Sequence, residues 1–208
     1  FDTIVDAIGK TPLPPYIKSD ETSAEHHRER YQTVFASNRG AIAAPTAGLH
    51  FTPDVLKEIK AMGVEIIYIT LHVGYGTFEP VRATKVADHS VAAEHFEIGS
   101  EAAGVLNKAD ADGRRVVAVG TTTTRTLEYA KAANGTFRAV NGYADLTITP
   151  GYRFQAVNAL LTNFHLPQSS LLVLTSTFGG HELIMNAYRH AVRERYRFYS
   201  YGDCMLIV

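Results

Sequence analysis

The spacing of hydrophobic residues along this 208-residue chain switches repeatedly between strand and helix periods. Residues 40–44 form a short apolar run that predicts a strand. A helix should follow, because Thr52 offers an N-cap, Pro53 a first-turn residue and Gly63 a stop. Residues 64–71 are rich in β-branched side chains and predict a second strand. Strand, helix and strand in this order favour a βαβ unit with parallel pairing.

The same alternation continues to the end of the sequence. Apolar runs predict strands immediately before Asn163 and over residues 116–119 and 204–208. Helical spacing predicts helices over residues 21–36, 100–110, 124–133, 169–178 and 181–196. We therefore expect residues 1–208 to form a single α/β domain. Its fold should have three layers, with helices on both faces of a mixed, largely parallel sheet.

Composition and charge limit the classes of function. The chain is 46% hydrophobic and 20% charged, so it can bury one substantial core. Its net charge of −1 argues against nucleic-acid binding driven by overall charge alone. The apolar runs are too short to cross a bilayer, and the single cysteine, Cys204, excludes an intrachain disulfide framework. We expect a cytoplasmic protein that acts as a monomer and away from membranes.

One local concentration of positive charge is a candidate for RNA binding. Arg189, Arg193 and Arg197 recur every four residues near the C-terminal end, with Tyr196 and Tyr199 beside them. The alternative is a solvated helix face whose arginines pair with acidic neighbours. Charge pattern alone favours that alternative.

Residues 160–167 (LLTNFHLP) set two polar side chains in an apolar frame. Buried polar groups need hydrogen-bond partners. Asn163 and His165 therefore predict either a strand end that delivers them to a cleft, or side chains that cap nearby backbone. Open α/β sheets bind ligands at the carboxyl ends of their strands, which is where these two residues should lie.

Two further loops follow predicted strands and carry groups suited to ligand binding. Residues 44–51 contain small residues, the Thr46 hydroxyl and His50, which can titrate near neutral pH. Residues 71–78 (LHVGYGTF) place His72 and two glycines around an aromatic ring, which suggests a loop over a flat group such as a nucleobase. The alternatives are an ordinary helix start for the first loop and a chance glycine pair for the second.

The remaining loop, residues 119–125 (VGTTTTR), runs from a strand through Gly120 into a helix. Amides at a helix N-terminus attract anions, so a ligand carboxylate or phosphate would be stabilised there. Arg125 could add a bidentate contact, or it could pair with Glu128 on its own helix. A threonine-capped helix start without a ligand is as compatible with this loop as binding is.

A metal site and a serine hydrolase are weaker interpretations. Five histidines and one glutamate could supply metal ligands, namely His50, His72, His89, His95, His165 and Glu94. The sequence has no HExxH motif and no paired CxxC motifs, so we expect no bound metal. It also has no GxSxG motif, and Cys204 lies in an apolar segment typical of a structural thiol.

In combination, these loops resemble the S-adenosylmethionine:tRNA ribosyltransferase-isomerase family of queuosine biosynthesis. The motifs that carry the resemblance are PLPPYI (12–17), RYQT (30–33), APTAGLHF (44–51), LHVGYGTFEPV (71–81), GTT and RTLE (120–128), LLTNFHLP (160–167), and YRF with SYGD (196–203). They cover essentially the whole sequence but only the C-terminal part of a usual family member. We expect the family's N-terminal portion, with its inserted small β-barrel domain, to be absent from residues 1–208. The sequence departs from the family pattern at Ala92, Tyr143, Ala144 and Asn158.

The resemblance implies a specific reaction. The ribosyl group of S-adenosylmethionine would be transferred to, and isomerised on, 7-aminomethyl-7-deazaguanine at the tRNA wobble position. The products would be epoxyqueuosine-tRNA, adenine and methionine, so S-adenosylmethionine is a consumed co-substrate and no separate cofactor is expected. The alternative is a non-catalytic fragment of such an enzyme that binds a nucleoside or tRNA without turnover.

This chemistry needs a base near the ribose C5′, a group that accepts protons from the attacking amine, and a donor that helps adenine leave. Histidine suits each task at neutral pH, and we expect His50, His72 and His165 to supply these groups. Residues 120–125 are expected to bind the methionine carboxylate, and residues 74–77 the adenine or the deazaguanine.

The remaining expectations concern substrate and tRNA contacts. Thr46 and Asn163 should orient the ribose or the base, Glu94 should orient His89, and Arg193 with Arg197 should contact tRNA. The full set of expected substrate-binding residues is Thr46, Gly48, Gly74, Gly76, Thr77, His89, Glu94, Gly120, Thr121, Thr122, Arg125 and Asn163.

Overall fold

The computed structural model of the protein describes residues 9–14, 16–17, 24–74 and 80–208, and the structural statements that follow concern these residues. Gly76 and Thr77 of the predicted binding loop lie outside them. The fold is mixed α/β, as predicted, with helices packed against two small sheets.

The described helices and strands alternate along the chain. The α-helices are α1 (Ala24–Arg30), α2 (Pro53–Ala61), α3 (Ser100–Ala111), α4 (Thr121–Asn134), α5 (Ser170–Gly179) and α6 (His181–Arg193). The strands are β1 (Thr70–His72), β2 (Glu94–Ile98), β3 (Val117–Val119), β4 (Val140–Ala144), β5 (Ala159–Asn163) and β6 (Cys204–Ile207). Two short 3₁₀ helices occur at Thr46–His50 and Val86–Asp88.

The described strands do not form the single, largely parallel, helix-covered sheet that we expected. They form two separate three-stranded sheets, in the orders β1-β2-β4 and β3-β5-β6. Both pairings in the first sheet are antiparallel. In the second sheet β3 and β5 are parallel, with Val117 opposite Ala159, whereas β6 pairs antiparallel with β5. The parallel geometry that the sequence predicted is therefore limited to one strand pair.

The predicted βαβ unit around α2 is also corrected. Residues 40–44 are irregular, because the amides of Ile42 and Ala43 both donate to the Val73 carbonyl instead of entering a strand ladder. The run 64–71 contributes only its last two residues to β1. With neither flanking strand formed as predicted, α2 does not connect two parallel strands.

The helix itself begins and ends where the sequence predicts. The Thr52 hydroxyl accepts a hydrogen bond from the Val55 amide (3.2 Å), and Pro53 occupies the first helical position. Gly63 follows the helix with a φ of +82°, a left-handed conformation that favours glycine. The capping residues at its two ends therefore predicted this helix correctly.

Two strands, β2 and β4, had not been predicted. β2 buries Glu94, Phe96 and Ile98 and turns the intervening side chains outward, which is the period of two expected of a strand. It pairs along its whole length with β4, where Ile98 lies opposite Val140. Together with β1, these strands form a sheet that brings Glu94 to the functional region described below.

The hydrophobic core has two parts. One packs α3 and α4 against the first sheet and β3, and its largest members are Phe96, Ile98, Leu106, Leu127 and Phe137. The other packs α5 and α6 against β5 and β6, around Leu160, Phe164, Leu174, Ile184 and Tyr188. Phe178 contacts both parts, so the two are continuous.

Two of the departures from the family pattern have identifiable surroundings. The Asn158 side-chain oxygen accepts a hydrogen bond from the Val116 amide (2.8 Å), a role that an aspartate carboxylate would also fill. The Tyr143 side chain is 64% exposed, and its ring centroid lies 5.1 Å from that of His95.

None of the described helices is long and apolar enough to cross a membrane.

Candidate active site

The predicted loops meet at the carboxyl ends of β3 and β5. Gly120 directly follows β3, and its amide donates to the Leu161 carbonyl of β5 (2.9 Å). The 3₁₀ helix Thr46–His50 packs against this junction: it contacts β5, and a Cβ atom added to Gly120 would lie 3.8 Å from the Ala47 Cβ. Three of the four predicted loops therefore share one edge of the second sheet.

Glu94, at the start of β2, connects the first sheet to the same region. Its Oε1 accepts a hydrogen bond from the Gly74 amide (3.3 Å), and its Oε2 forms an ion pair with Arg125 of α4. The two side chains are only 6% and 7% exposed. Arg125 thus pairs across the fold with Glu94 instead of with Glu128 on its own helix. Because the charge of Arg125 is compensated, this guanidinium is not a free cation for a ligand carboxylate.

A pocket lies beside this ion pair. Its walls come from the start of β2, the first turn of α4 and the first turn of α5, with lining residues His89, Val91, Glu94, Thr121, Thr122, Arg125, Thr147, Ile148, Ser170, Leu171, Val173 and Leu174. Five residues of the predicted substrate-binding set are therefore brought together here. The sequence prediction missed Thr147 and Ser170, because neither belongs to a loop that follows a predicted strand.

The four consecutive threonines at the start of α4 have two different roles. The hydroxyls of Thr123 and Thr124 donate back to the carbonyls of Val119 and Gly120, at 2.8 and 3.1 Å. Thr121 and Thr122 line the pocket although they are 6% and 8% exposed. The N-cap, Gly120, supplies no side-chain hydrogen bond and has a φ of +97°. The first amides of α4 and two hydroxyls can therefore meet an anionic group in the pocket.

His89 lies in the same pocket but is not joined to Glu94 by a hydrogen bond. Its Nε2 atom is buried and has no hydrogen-bond partner within the described part of the chain. An unpaired buried ring nitrogen next to a pocket is free to bind a ligand. The expected orientation of His89 by Glu94 stays a prediction, since the described contacts of Glu94 are with Arg125 and Gly74.

His50 and Asn163 form a second polar group at this sheet edge. The His50 Nε2 and the Asn163 Oδ1 are both buried, and neither has a hydrogen-bond partner among the residues that the structure describes. Burial lowers the pKa of His50, whereas the Asp203 carboxylate and an interaction with Asn163 oppose that shift and Arg197 adds to it. His50 is therefore neutral at neutral pH and able to accept a proton.

His165 is held differently from His50. Its Nε2 lies 2.8 Å from the Thr162 hydroxyl, and its amide donates to the Tyr188 hydroxyl (2.7 Å). Burial lowers the pKa of His165 to about 4 and raises the pKa of Tyr188 to about 12. This imidazole is neutral across the physiological range and is a weaker proton acceptor than an ordinary histidine.

His72 is the third predicted catalytic histidine and lies on β1 in the first sheet. Its ring stacks on that of His95, with centroids 5.0 Å apart, and its Nδ1 is buried without a partner in the described ranges. Gly40 closes this side: a Cβ atom there would lie 2.4 Å from the His72 Nδ1, and its φ is +136°. His72 lies two residues before Gly74, whose amide donates a hydrogen bond to Glu94.

The glycine at position 48 has a packing explanation. A Cβ atom there would lie 2.8 Å from both Phe35 Cζ and Thr33 Cγ2. Gly48 therefore lets the 3₁₀ helix that carries Thr46 and His50 pack closely, which does not depend on a ligand. Sequence alone had suggested that small residues here allow close approach of a ligand.

The predicted tRNA-contacting arginines are exposed and paired with acidic neighbours. Arg193 Nε lies 3.0 Å from the Glu194 carboxylate, and Arg197 lies 2.8 Å from Asp203 Oδ1. Hydrogen bonds from Arg197 lower the pKa of Asp203. Pairs of this kind contribute little to stability and can be exchanged for other anions.

No group of three or more histidine, cysteine, aspartate or glutamate side chains is placed to hold a metal ion within residues 9–14, 16–17, 24–74 and 80–208.

Comparison with known proteins adds to this picture. Residues 1–207 match the family model described as "Queuosine biosynthesis protein". The chain is 52% identical to the S-adenosylmethionine:tRNA ribosyltransferase-isomerase of Heliobacterium modesticaldum and 53% identical to that of Trichlorobacter lovleyi, covering 100% of this chain and 60% of each relative. The crystal structure of S-adenosylmethionine tRNA ribosyltransferase from Thermotoga maritima is similar with a TM-score of 0.62 and 41% identity, over 78% of this chain and 51% of that one. The chain thus spans about 60% of the length of the curated relatives it matches.

Proposed function

The chain belongs to the queuosine biosynthesis protein family, and we propose that it carries the catalytic residues of an S-adenosylmethionine:tRNA ribosyltransferase-isomerase. The reaction would transfer and isomerise the ribosyl moiety of S-adenosylmethionine onto 7-aminomethyl-7-deazaguanine at the tRNA wobble position. Its products would be epoxyqueuosine-tRNA, adenine and methionine. The observation that carries the proposal is the 52–53% identity to enzymes of that name over the whole chain, combined with loops that converge at one sheet edge.

We assign the methionine carboxylate to the first turn of α4. Thr121 and Thr122 line the pocket at the start of this helix, which has no side-chain cap, and a helix N-terminus favours negative charge. The Glu94–Arg125 pair would form a neutral, desolvated wall beside it. The loop after β1, which includes Gly74, is assigned to the adenine or the deazaguanine, and Thr46 with Asn163 to the ribose.

Among the three histidines, His50 is the best candidate for the base that removes a proton from the ribose C5′. Its lowered pKa favours the neutral ring, and its side chain is only partly buried. His72 is assigned to the second proton transfer, from the attacking amine. His165, with a pKa of about 4, is better suited to hydrogen bonding with the leaving adenine than to carrying a proton at neutral pH.

S-adenosylmethionine is then a consumed co-substrate, and tRNA carrying the deazaguanine base is the second substrate. The tRNA backbone would contact the exposed side chains of Arg193 and Arg197, exchanging their carboxylate partners for phosphates. We place this activity in the cytoplasm and expect a monomeric protein that holds no separate cofactor.

The test is to mix the chain with S-adenosylmethionine and tRNA bearing 7-aminomethyl-7-deazaguanine, with a full-length family member in parallel. The proposal predicts adenine release together with an epoxyqueuosine mass at the wobble nucleoside. Binding of tRNA with a steep salt dependence, but without either product, would support the alternative of a non-catalytic binding chain.

A further inference from the structure

The side chain of Asn163 is held in one orientation at the end of β5. It is 2% exposed, and its Nδ2 donates a hydrogen bond to the Tyr199 carbonyl (3.0 Å). Because the amide nitrogen is fixed on that side, the amide oxygen must point the other way. There Oδ1 is buried and has no partner among the described residues, which is a costly arrangement for an acceptor.

His50 presents the matching unpaired atom. Its Nε2 is buried and also lacks a partner in the part of the chain that the structure describes, and the 3₁₀ helix that ends at His50 contacts the strand that ends at Asn163. Asn163 also favours the protonated ring, as a nearby hydrogen-bond acceptor would. The His50 side chain as a whole is only partly buried, and Nε2 is the ring nitrogen that is buried without a partner. The charged groups that act on this ring are Asp203, which favours protonation, and Arg197, which opposes it.

We propose that Asn163 is a positioning residue that fixes the tautomer of His50, with the proton on Nε2 and the lone pair on Nδ1. A carbonyl oxygen can only accept, so the atom facing Oδ1 must present a hydrogen. Nε2–H can do so directly. If a ribose hydroxyl lies between them, its one hydrogen donates to Oδ1 and its oxygen accepts from Nε2–H, which selects the same tautomer.

This assignment identifies the reactive nitrogen, and that part rests on the proposed function. When Nδ1 accepts a proton from the ribose C5′, the new N–H bond uses the Nδ1 lone pair. The electrons of the broken C–H bond stay on the carbon next to the sulfonium. The resulting imidazolium keeps its Nε2–H directed at Asn163 Oδ1, which stabilises the positive ring. Asn163 would thus act on the proton transfer through His50, in addition to its proposed contact with the ribose.

The experiment is ¹⁵N-histidine NMR of the whole chain, using two-bond nitrogen–proton correlations at a pH where the imidazoles are neutral. His50→Gln assigns the His50 signals. We expect wild-type His50 to carry its proton on Nε2, and Asn163→Ala to give a mixture of tautomers with a lower His50 pKa. Asn163→Asp keeps an acceptor and adds a negative charge, so the wild-type tautomer should be retained with a raised pKa.

The chain offers a matched control. His95 Nε2 lies 2.7 Å from the Asn141 Oδ1 in an exposed pair of the same chemistry. Asn141→Ala should change the signals of His95 and leave those of His50 unchanged. The acidic limb of the pH profile for adenine release should move to lower pH in Asn163→Ala and to higher pH in Asn163→Asp, which loss of structure alone would not produce.

A wild-type spectrum with the His50 proton on Nδ1 would overturn the proposal, and so would an Asn163→Ala variant that keeps the wild-type tautomer. The first result needs no variant, so a variant that does not fold leaves the test intact. The expected tautomer in a chain that releases no adenine would contradict the proposed function and leave the positioning role standing.

Discussion

Two buried carboxylates, one on α4 and one paired with Arg125 of α4, show how the same chemical group serves two purposes. Glu128 is 0% exposed and is held by neutral donors: the Tyr152 hydroxyl (3.1 Å) and the backbone amides of Gln155 (2.9 Å), Ala156 (2.9 Å) and Val157 (3.0 Å). Glu94 is 6% exposed and is held by the Arg125 guanidinium and one amide, in the wall of a pocket. One carboxylate fixes a chain segment; the other is positioned where a ligand can reach it.

The surroundings of the two carboxylates differ in whether nearby polar atoms lack hydrogen-bond partners. Glu128 binds the segment that leads into β5, so its hydrogen bonds place that strand relative to α4. Around Glu94, by contrast, His89 Nε2 is buried and unpaired within the described ranges, and Thr121 and Thr122 line the pocket. Unpaired polar atoms beside a buried ion pair indicate a site prepared for a ligand, whereas complete pairing indicates structure.

The largest predicted effect on stability concerns Glu128, the carboxylate that holds a chain segment. Glu128→Gln keeps one acceptor oxygen and replaces the other with an NH2 group, so the donors that bonded to the replaced oxygen lose their acceptor and face another donor. We expect the free energy of unfolding to fall by about 3 kcal/mol or more, measured by urea denaturation. Glu65→Gln is the control, because its pair with Arg114 is exposed and should cost below about 1 kcal/mol. Equal losses in the two variants would contradict the account of Glu128.

The second prediction concerns the functional side. Glu94→Gln should reduce adenine release by about 10²-fold or more, because the wall of the pocket loses its charge balance beside the reacting groups. Arg125→Met alone leaves a buried carboxylate uncompensated and should destabilise the fold by about 3–5 kcal/mol. The double variant should be more stable than the Arg125→Met variant. If the destabilisation simply adds in the double variant, the two side chains are not coupled as the structure indicates.

These two carboxylates also show what sequence could and could not predict. Caps and glycine stops identified α2, and they placed α4 with its C-terminal Gly135 in the left-handed conformation (φ 70°). Such signals are local, so they can be read from neighbouring residues. Glu128 instead looked like a helical partner for Arg125, because its true partners are 24 to 29 residues further along the chain.

The prediction of strand pairing was wrong for the same reason. β4 contains Asn141 and Gly142, which are poor strand formers, and it is stabilised by pairing with β2 more than forty residues earlier. The convergence of the loops was predicted better than the sheets, since the loops around His50, Gly120 and Asn163 do meet at one sheet edge. The roles of the three histidines were not separable, because burial and hydrogen bonding distinguish them only in the folded chain.

The third prediction extends the comparison to a buried group that has no charged partner. His165 has a pKa of about 4 in the folded chain against 6.5 for the ordinary group. Between these two pH values the unfolded chain therefore binds a proton at His165 and the folded chain does not. Above pH 6.5 this difference in proton binding does not affect the free energy of unfolding, which falls as the pH drops from 6.5 towards 4. At pH 5 the loss should be about 2 kcal/mol.

His165→Gln should therefore show a smaller loss of unfolding free energy between pH 7.5 and pH 5 than the wild-type chain. Urea denaturation at both pH values measures this difference. His95→Gln serves as the control at an exposed histidine. An identical pH dependence in the wild-type and His165→Gln chains would show that His165 titrates normally.

The smallest effects are expected at the exposed arginines. Arg193→Ala and Arg197→Ala remove pairs that contribute little to stability, so the unfolding free energy should change by less than about 1 kcal/mol. If these side chains contact phosphates, each substitution should weaken tRNA binding and reduce the slope of log affinity against log salt by about one. Arg114→Ala, at another exposed pair, should leave that slope unchanged.

The most direct measurement places the two carboxamide variants side by side. Adenine release and urea denaturation would be measured for Glu94→Gln and Glu128→Gln under conditions where both remain folded, in this chain and at the matching positions of a full-length relative. The account predicts that Glu94→Gln loses turnover while it is folded, and that it also loses stability because Arg125 stays buried without its counter-charge. Glu128→Gln should lose stability and keep turnover while folded. Normal turnover in Glu94→Gln would contradict the assignment of this pocket to the reaction.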